Sequence, residues 1–244
     1  MVTSGNMSEK TTLQKEYADK RKVTVVGAGI NLALSIAKIV VGFIANSQGL
    51  IADGLHSLAD LASDAMVLVA AKFKSKGADQ SHPYGHARFE TIATIGLGLL
   101  LLSVAIGITI ESVEQLLMHD SLIKPGVIAL AVAAVSIFSK EWLYHYTMAV
   151  AKRLKSDMIR ANAWHHRTDA ISSIIVFIGI GGAMTGLTWL DSVAAITVSI
   201  MIAKIGWDIG WPAIVELTDS AVEEEKLKEI IKTIEAVVGV TEFQ

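Results

Sequence analysis

Long apolar blocks alternate with short polar connections along most of the chain. A transmembrane helix needs roughly 20 apolar residues to cross the hydrocarbon core, and six blocks meet this requirement. In lipid they must be helices, because isolated strands would leave backbone groups unpaired. We therefore predict an all-α membrane protein with six transmembrane helices, whose apolar segments cover residues 23–45, 50–71, 91–117, 125–146, 161–185 and 190–209.

The polar connections differ in positive charge from one side of the predicted bundle to the other. The connections at 46–49, 118–125 and 186–189 contain a single basic residue, Lys124. Basic residues accumulate on the cytoplasmic side of membrane proteins, so we expect both termini and the opposite connections in the cytoplasm. That side carries Lys20, Arg21, Lys22, Lys72, Lys74, Lys76, Arg88, Lys152, Arg153, Lys155 and Arg160.

Both ends of the chain are polar. We expect residues 1–22 to form a cytoplasmic tail and residues 23–211 to form the transmembrane domain. Residues 212–244 are charged and amphipathic, and they predict the start of a cytoplasmic domain that is too short here for a packed core of its own. Its helical signal is a repeat of apolar positions at Ile230, Ile231, Ile234, Val237 and Val238.

Composition agrees with a chain that lies mostly in lipid. Hydrophobic residues make up 52% of the sequence and charged residues 18%, whereas soluble domains usually carry about 25% charged residues. The chain has no cysteine, which excludes disulfides and thiolate metal sites. Any metal must therefore be bound by oxygen and imidazole nitrogen. The net charge of −3 gives no indication of nucleic-acid binding.

Ionisable residues recur inside the second apolar segment. Asp53, His56, Asp60 and Asp64 follow one another at spacings of three, four and four, which places them along one stripe of a helix. An ionised group at the bilayer centre costs about 3 kcal/mol even on the mildest insertion scale. A function or a binding partner must therefore offset the cost of placing these four residues in an apolar segment. His56 and Asp60 lie near mid-span. Asp53 could instead face water or cap a neighbour, and Asp64 could bond to a Ser or Asn of another helix.

The fifth segment offers a matching pair. His165 and Asp169 are also four residues apart and share a helix face, while His166 points elsewhere. With His56 and Asp60 they supply two imidazoles and two carboxylates, the tetrahedral ligand set that Zn²⁺ accepts. Both pairs fall near the middle third of the bilayer at about 1.5 Å per residue, and two carboxylates balance the charge of one dication.

Structural polar packing is the alternative to metal binding. A fixed ion pair would need a Lys or Arg at the same depth, and Lys38 in the first segment is the best candidate for it. Arg167 adjoins the motif of the fifth segment but lies off the face that His165 and Asp169 share.

Four motifs together carry a family resemblance that covers nearly the whole chain. They are ADGLHSLAD in the second segment, SHPYGHARFE in the loop after it, AWHHRTDAISS in the fifth segment and LTDS after the sixth. The chain resembles the cation diffusion facilitator family, whose members are metal/proton antiporters. The resemblance implies that His56, Asp60, His165 and Asp169 bind the transported metal.

The resemblance implies two further features on the cytoplasmic side. A second metal site in the loop would use Asp79, His82 and His86, although these residues also fit a solvated turn. In the family, a basic residue after the loop motif pairs with an acid after the sixth span. The matching positions are Arg88 and Asp219, which could also be two unrelated surface charges.

Members of the family are homodimers with a cytoplasmic αββα domain. The resemblance implies that this chain also forms a homodimer. We expect only the first part of the αββα domain here, truncated before it is complete. We expect the protein in a bacterial or archaeal cell membrane, in contact with lipid.

We therefore predict a divalent metal efflux transporter and not an enzyme. Zn²⁺ is the expected cargo, exchanged for protons by alternating access, because a metal displaces protons from imidazole and carboxylate groups. Fe²⁺, Mn²⁺, Co²⁺ or Cd²⁺ are alternative cargoes, and a metal-binding scaffold without transport is the alternative function. A metalloenzyme is disfavoured because the sequence has no HExxH motif and four protein ligands leave no place for a catalytic water.

Overall fold

The computed structural model describes residues 3–74, 87–117, 124–218 and 231–234, with side chains over 18–66, 91–117, 124–218 and 231–234. This part of the chain contains six long α-helices and no β-strand, which confirms the all-α prediction. The helices are α1 Thr3–Ile44, α2 Gln48–Lys74, α3 Ala87–Leu117, α4 Val127–Leu154, α5 Asp157–Met184 and α6 Trp189–Leu217.

Five of these helices are long and apolar enough to cross a membrane, by length and composition. They are α1 over Ala18–Ile44, α3 over Thr91–Leu117, and the whole of α4, α5 and α6. Their outward faces carry large apolar side chains that are more than half exposed, such as Phe43, Phe138 and Ile200. The prediction of spans is therefore confirmed for five helices. The role of α2 as a sixth span stays a prediction.

Several helices extend beyond the apolar segments that predict them. α1 begins at Thr3, inside the predicted tail at 1–22. α6 ends at Leu217, beyond the boundary expected after residue 211, and Pro212 lies inside it. Hydropathy marks where a helix leaves lipid, and it gives no signal for a polar extension of the same helix.

Short turns connect the helices. α4 ends at Leu154 and is capped by Lys155, which has a left-handed φ of 47° and donates its N–H to the Ala151 carbonyl. α5 begins two residues later at Asp157, so α4 and α5 are adjacent and antiparallel. Gly186 follows α5 with a φ of 115°, a conformation that glycine adopts without the steric cost of a side chain.

The helices pack most extensively as three pairs, α1 with α2, α4 with α5 and α3 with α6. α2 also contacts α3, α5 and α6, so it lies in the centre of the bundle. A core of fully buried apolar side chains joins α2, α5 and α6. It includes Leu50, Val176, Ile180, Val198 and Ile202. The central position of α2 brings its polar stripe into the interior, against α1 and α5.

Candidate metal site

The polar stripe of α2 faces the interior of the bundle over the first half of the helix. Asp53, His56 and Ser57 are buried and Asp60 is partly buried, whereas Leu58 on another face is exposed. Spacings of three and four residues keep the polar side chains on a common face. The stripe is therefore available for contacts with other helices.

Three of the four predicted ligands come together. His56, Asp60 and Asp169 each offer one ligand atom, and these atoms lie within 4.8 Å of one another. His56 Nε2 and Asp60 Oδ2 are 3.8 Å apart. Two ligand atoms of a tetrahedral Zn²⁺ are about 3.3 Å apart, given bonds of about 2.0–2.1 Å. Small side-chain movements would suffice for the three groups to share one cation.

Two atoms of this cluster lack a hydrogen bond. His56 Nδ1 and Asp60 Oδ2 are buried, and no group in the described part of the chain hydrogen-bonds to either. Buried polar atoms nearly always have a partner. A divalent cation can be that partner for the Asp60 oxygen, and His56 Nε2 offers an imidazole nitrogen 3.8 Å from it, so the chemistry of this donor set fits a metal ion.

His165 lies beside the cluster. Its Nε2 atom is 3.8 Å from Asp169 Oδ1, but its side chain is 40% exposed, compared with 3% for Asp169. The separation equals that of the His56–Asp60 pair, so a change of side-chain rotamer would bring this imidazole to a cation on Asp169. The membership of His165 in the ligand set stays a prediction.

A lysine that the sequence analysis did not single out contacts the cluster. Lys140 of α4 donates a hydrogen bond from Nζ to Asp169 Oδ2 at 2.6 Å, and the two side chains are 1% and 3% exposed. An intramembrane lysine costs about 3 kcal/mol even on the mildest scale. In the sequence, the position of Lys140 inside an apolar segment is therefore the feature that could have identified it as a functional candidate.

A second buried ion pair lies one turn along α2 from His56. Lys38 Nζ is 2.7 Å from Asp53 Oδ2, and neither side chain is exposed. Ser172 and Ser173 of α5 donate hydrogen bonds to the two oxygens of Asp53, at 3.1 Å and 2.8 Å. Lys38, the best candidate for a fixed ion pair in place of metal binding, therefore pairs with Asp53, outside the cluster of His56, Asp60 and Asp169. Asp53 neither faces water nor caps a helix end, so that alternative is wrong.

Asp64 and His166 lie apart from the cluster. Asp64 is exposed. His166 is 2% exposed, and neither of its ring nitrogens has a hydrogen-bond partner among the described residues. It packs toward α1, where a Cβ atom at Gly27 would lie 3.3 Å from His166 Nε2. The two adjacent histidines of α5 therefore face different surroundings.

The predicted features of the cytoplasmic loops involve residues that the structure does not describe. Asp79, His82, His86 and Asp219 lie outside the described residues, as does the side chain of Arg88. The loop metal site and the pairing of Arg88 with Asp219 stay predictions.

Asp191 of α6 anchors the start of α2, and the sequence analysis did not identify it. Its Oδ1 atom accepts a hydrogen bond from Ser47 Oγ at 2.8 Å, and its Oδ2 atom accepts one from the Gly49 N–H at 3.4 Å. The carboxylate therefore satisfies the Gly49 N–H, one of the backbone donors that the first turn of a helix leaves free. This contact fixes the end of the helix that carries His56 and Asp60.

Apolar helices of membrane-spanning length and an interior cluster of imidazole and carboxylate define an integral membrane protein with a candidate cation site. The sequence profile of the cation efflux transmembrane domain matches residues 24–218. The chain belongs to the cation efflux family, which confirms the resemblance to cation diffusion facilitators.

Three curated relatives are similar over most of this chain. Metal tolerance protein C1 of Arabidopsis thaliana is 33% identical over an alignment 250 positions long, which covers 97% of this chain and 53% of that protein. An uncharacterized transporter of Methanocaldococcus jannaschii is 36% identical over 226 residues, 91% of this chain and 78% of that protein. Manganese efflux system protein MneP of Bacillus subtilis is 32% identical over 216 residues, 86% of this chain and 72% of that protein. The chain spans about half the length of the Arabidopsis relative.

Proposed function

We propose that the protein exports divalent metal cations across the membrane by alternating access, with Zn²⁺ as the leading cargo and protons as the counter-ion. The ion binds between α2 and α5 on His56, Asp60, His165 and Asp169. The observation that carries this proposal is the meeting of His56, Asp60 and Asp169 within 4.8 Å, from two helices that are distant in sequence.

The charge and protonation of these ligands account for the exchange. Two carboxylates inside a membrane protein are costly unless a cation neutralises them. Imidazole and carboxylate bind a metal only when they are deprotonated. Metal ions and protons therefore compete for the same atoms, and the apparent metal affinity should fall as the pH is lowered.

The depth of the cluster suits alternating access. His56 lies eight residues after the start of α2 at Gln48, and His165 lies eight residues after the start of α5 at Asp157. Each interval is about 12 Å along a helix. We take α2 as the sixth span and both termini as cytoplasmic, so the two helices enter from opposite sides. The cluster then falls near the middle of a hydrocarbon core of roughly 30 Å, where transporters commonly hold their cargo.

A manganese or ferrous cargo is the second candidate. The cluster itself contains one imidazole and two carboxylates, because His165 is 40% exposed and lies to one side. Oxygen-rich sites suit harder cations such as Mn²⁺ better than nitrogen-rich sites do. A relative that is 32% identical carries the name of a manganese efflux protein. Direct competition between metals decides between the two candidates.

A flux assay in proteoliposomes tests whether the protein transports metal ions. The protein is reconstituted with a pH-sensitive dye and a metal indicator inside, and Zn²⁺, Mn²⁺, Fe²⁺, Co²⁺ or Cd²⁺ is supplied outside. We expect metal uptake coupled to proton movement in the opposite direction. Asp60→Asn should abolish both fluxes because it removes a charged ligand. Asp64→Asn, an exposed acid on the same helix, should retain them. A metal-binding scaffold would bind the ion without flux, and that result would reject the proposal.

A further inference from the structure

The ion pair between Lys140 and Asp169 places a positive charge on a proposed metal ligand. The ammonium nitrogen lies 2.6 Å from Asp169 Oδ2, and both side chains are almost fully buried. Among the described residues, Lys140 is the one hydrogen-bond donor to that carboxylate. The pair also joins α4 to α5, the helix that carries His165 and Asp169.

The charges at the cluster limit how a dication can bind. Asp60 and Asp169 contribute two negative charges, and Lys140 contributes one positive charge. If a dication joined them while Lys140 kept its place, the interior would hold one uncompensated positive charge, and two cations would share one carboxylate. Repulsion between charges at such short range is strong in a low dielectric. The dication and the ammonium group therefore compete for Asp169.

We propose that Lys140 is a tethered cation that neutralises Asp169 in the metal-free protein, and that the transported dication binds by displacing it. This inference rests on the proposed function. The backbone of α4 stays in place, and the ammonium group of Lys140 moves away from Asp169. The four-carbon stem of lysine is flexible enough to permit this movement.

The tethered cation has consequences for affinity and for selectivity. Because the metal must displace the ammonium group, Lys140 lowers metal affinity and favours release when the group returns. A monovalent cation that displaced Lys140 would only replace one positive charge on Asp169 by another, whereas a dication also neutralises Asp60. The site should therefore select dications over monovalent cations. The empty carrier can change conformation without an unpaired charge on Asp169, which would be costly to bury.

The other buried ion pair provides a matched comparison. Lys38 contacts Asp53 at 2.7 Å and is equally buried. Asp53 is not part of the cluster of His56, Asp60 and Asp169, and two serine hydroxyls also donate to it. Removal of the ammonium group at residue 38 should therefore not tighten metal binding.

Binding and transport measurements on the full chain in lipid nanodiscs and proteoliposomes test the inference. Calorimetric titration with Zn²⁺ should give a Kd for Lys140→Met that is lower than the wild-type Kd by about 10-fold or more, because a competing charge is lost. The KM for transport should fall with it, and kcat should also fall because release slows. Lys140→Arg, which keeps a positive charge at residue 140, should show no such gain in Zn²⁺ affinity. Lys38→Met should not bind Zn²⁺ more tightly.

An unchanged or higher Kd in folded Lys140→Met protein would overturn the inference. A second measurement does not depend on the folding of any variant. In a structure of the wild-type protein with Zn²⁺ bound between α2 and α5, Lys140 Nζ should have left Asp169. Retention of the 2.6 Å contact beside the bound ion would equally overturn the inference.

The same experiments separate this inference from the proposed function. If the wild-type protein binds Zn²⁺ and Asp60→Asn does not, the metal site stands whatever Lys140→Met does. If the wild-type protein binds no metal, or if Asp60→Asn binds it as well as the wild-type protein does, the proposed function fails and the role of Lys140 fails with it.

Discussion

At the scale of single residues, the partner of each buried carboxylate determines what that carboxylate can do. Asp53 is held by Lys38 and by two serine hydroxyls, so its charge and hydrogen bonds are satisfied within the fold. Asp169 is held by Lys140 and lies within reach of His56 and Asp60. We therefore interpret the first pair as part of the packing between helices, and the second as part of the ion-binding machinery.

Loss of Asp53 alone should destabilise the protein more than loss of the whole pair. Asp53→Ala leaves the Lys38 ammonium group buried with only serine hydroxyls as partners, and breaking one side of a buried ion pair costs about 3–5 kcal/mol. The double variant Lys38→Met, Asp53→Ala removes both charges and should recover a large part of that loss. Thermal unfolding in detergent measures the difference, and equal losses in the single and double variants would contradict this role.

At the scale of helices, α6 holds two of its neighbours by different means. At the start of α2 it provides Asp191, whose carboxylate accepts hydrogen bonds from Ser47 and Gly49. Against α3 it provides close backbone contact, since a Cβ atom at Gly98 would lie 2.8 Å from the Gly206 carbonyl oxygen. Small residues permit this kind of approach between membrane helices. The α3–α6 pair is therefore sensitive to the addition of a single methyl group.

Two glycines of α3 give a matched test of this close contact. Gly98→Ala places a Cβ atom against the backbone of α6 and should cost about 1–3 kcal/mol of stability, as overpacking does. Gly96→Ala makes the same change two residues away, where a Cβ atom would have no described atom within 4 Å. It should be neutral or slightly stabilising, because alanine favours the helix. A similar loss in both variants would show that the contact with Gly206 is not the cause.

At the scale of the whole molecule, the site lies where helix pairs meet. α2 belongs to the pair with α1, and α5 belongs to the pair with α4. The proposed ligands His56 and Asp60 are on the first pair, and the proposed ligand Asp169 is on the second. A movement of one pair against the other would change the distances between ligands, which is what alternating access requires of a transport site.

The sequence predicted much of this arrangement. Hydropathy gave the number and order of the helices, because membrane-spanning helices are long and apolar. Spacings of four residues identified the side chains that share a face, and the structure brings His56 and Asp60 close to Asp169. The shared helix faces depend on local geometry alone, which a single sequence contains, whereas the pairing of the two motifs was expected from their ligand chemistry and from the family resemblance.

The partners of the carboxylates could not be predicted in the same way. Lys140 lies inside the fourth apolar segment, expected over residues 125–146, but the sequence does not show which carboxylate it contacts. α4 continues to Leu154, and this places Lys140 at its middle. The exposure of His165 depends on its rotamer and on the packing of neighbouring helices, and residue spacing contains no information about either. Dimerisation, likewise, stays a prediction from the family resemblance.

The location of the ion is the central claim, and anomalous scattering from crystals of the protein grown with Zn²⁺ measures it most directly. The account predicts one anomalous peak between α2 and α5, about 2.0–2.2 Å from ligand atoms of His56, Asp60 and Asp169, with His165 turned toward it. The peak should be absent from crystals of Asp60→Asn. Peaks elsewhere on the protein, with none between these two helices, would contradict the account.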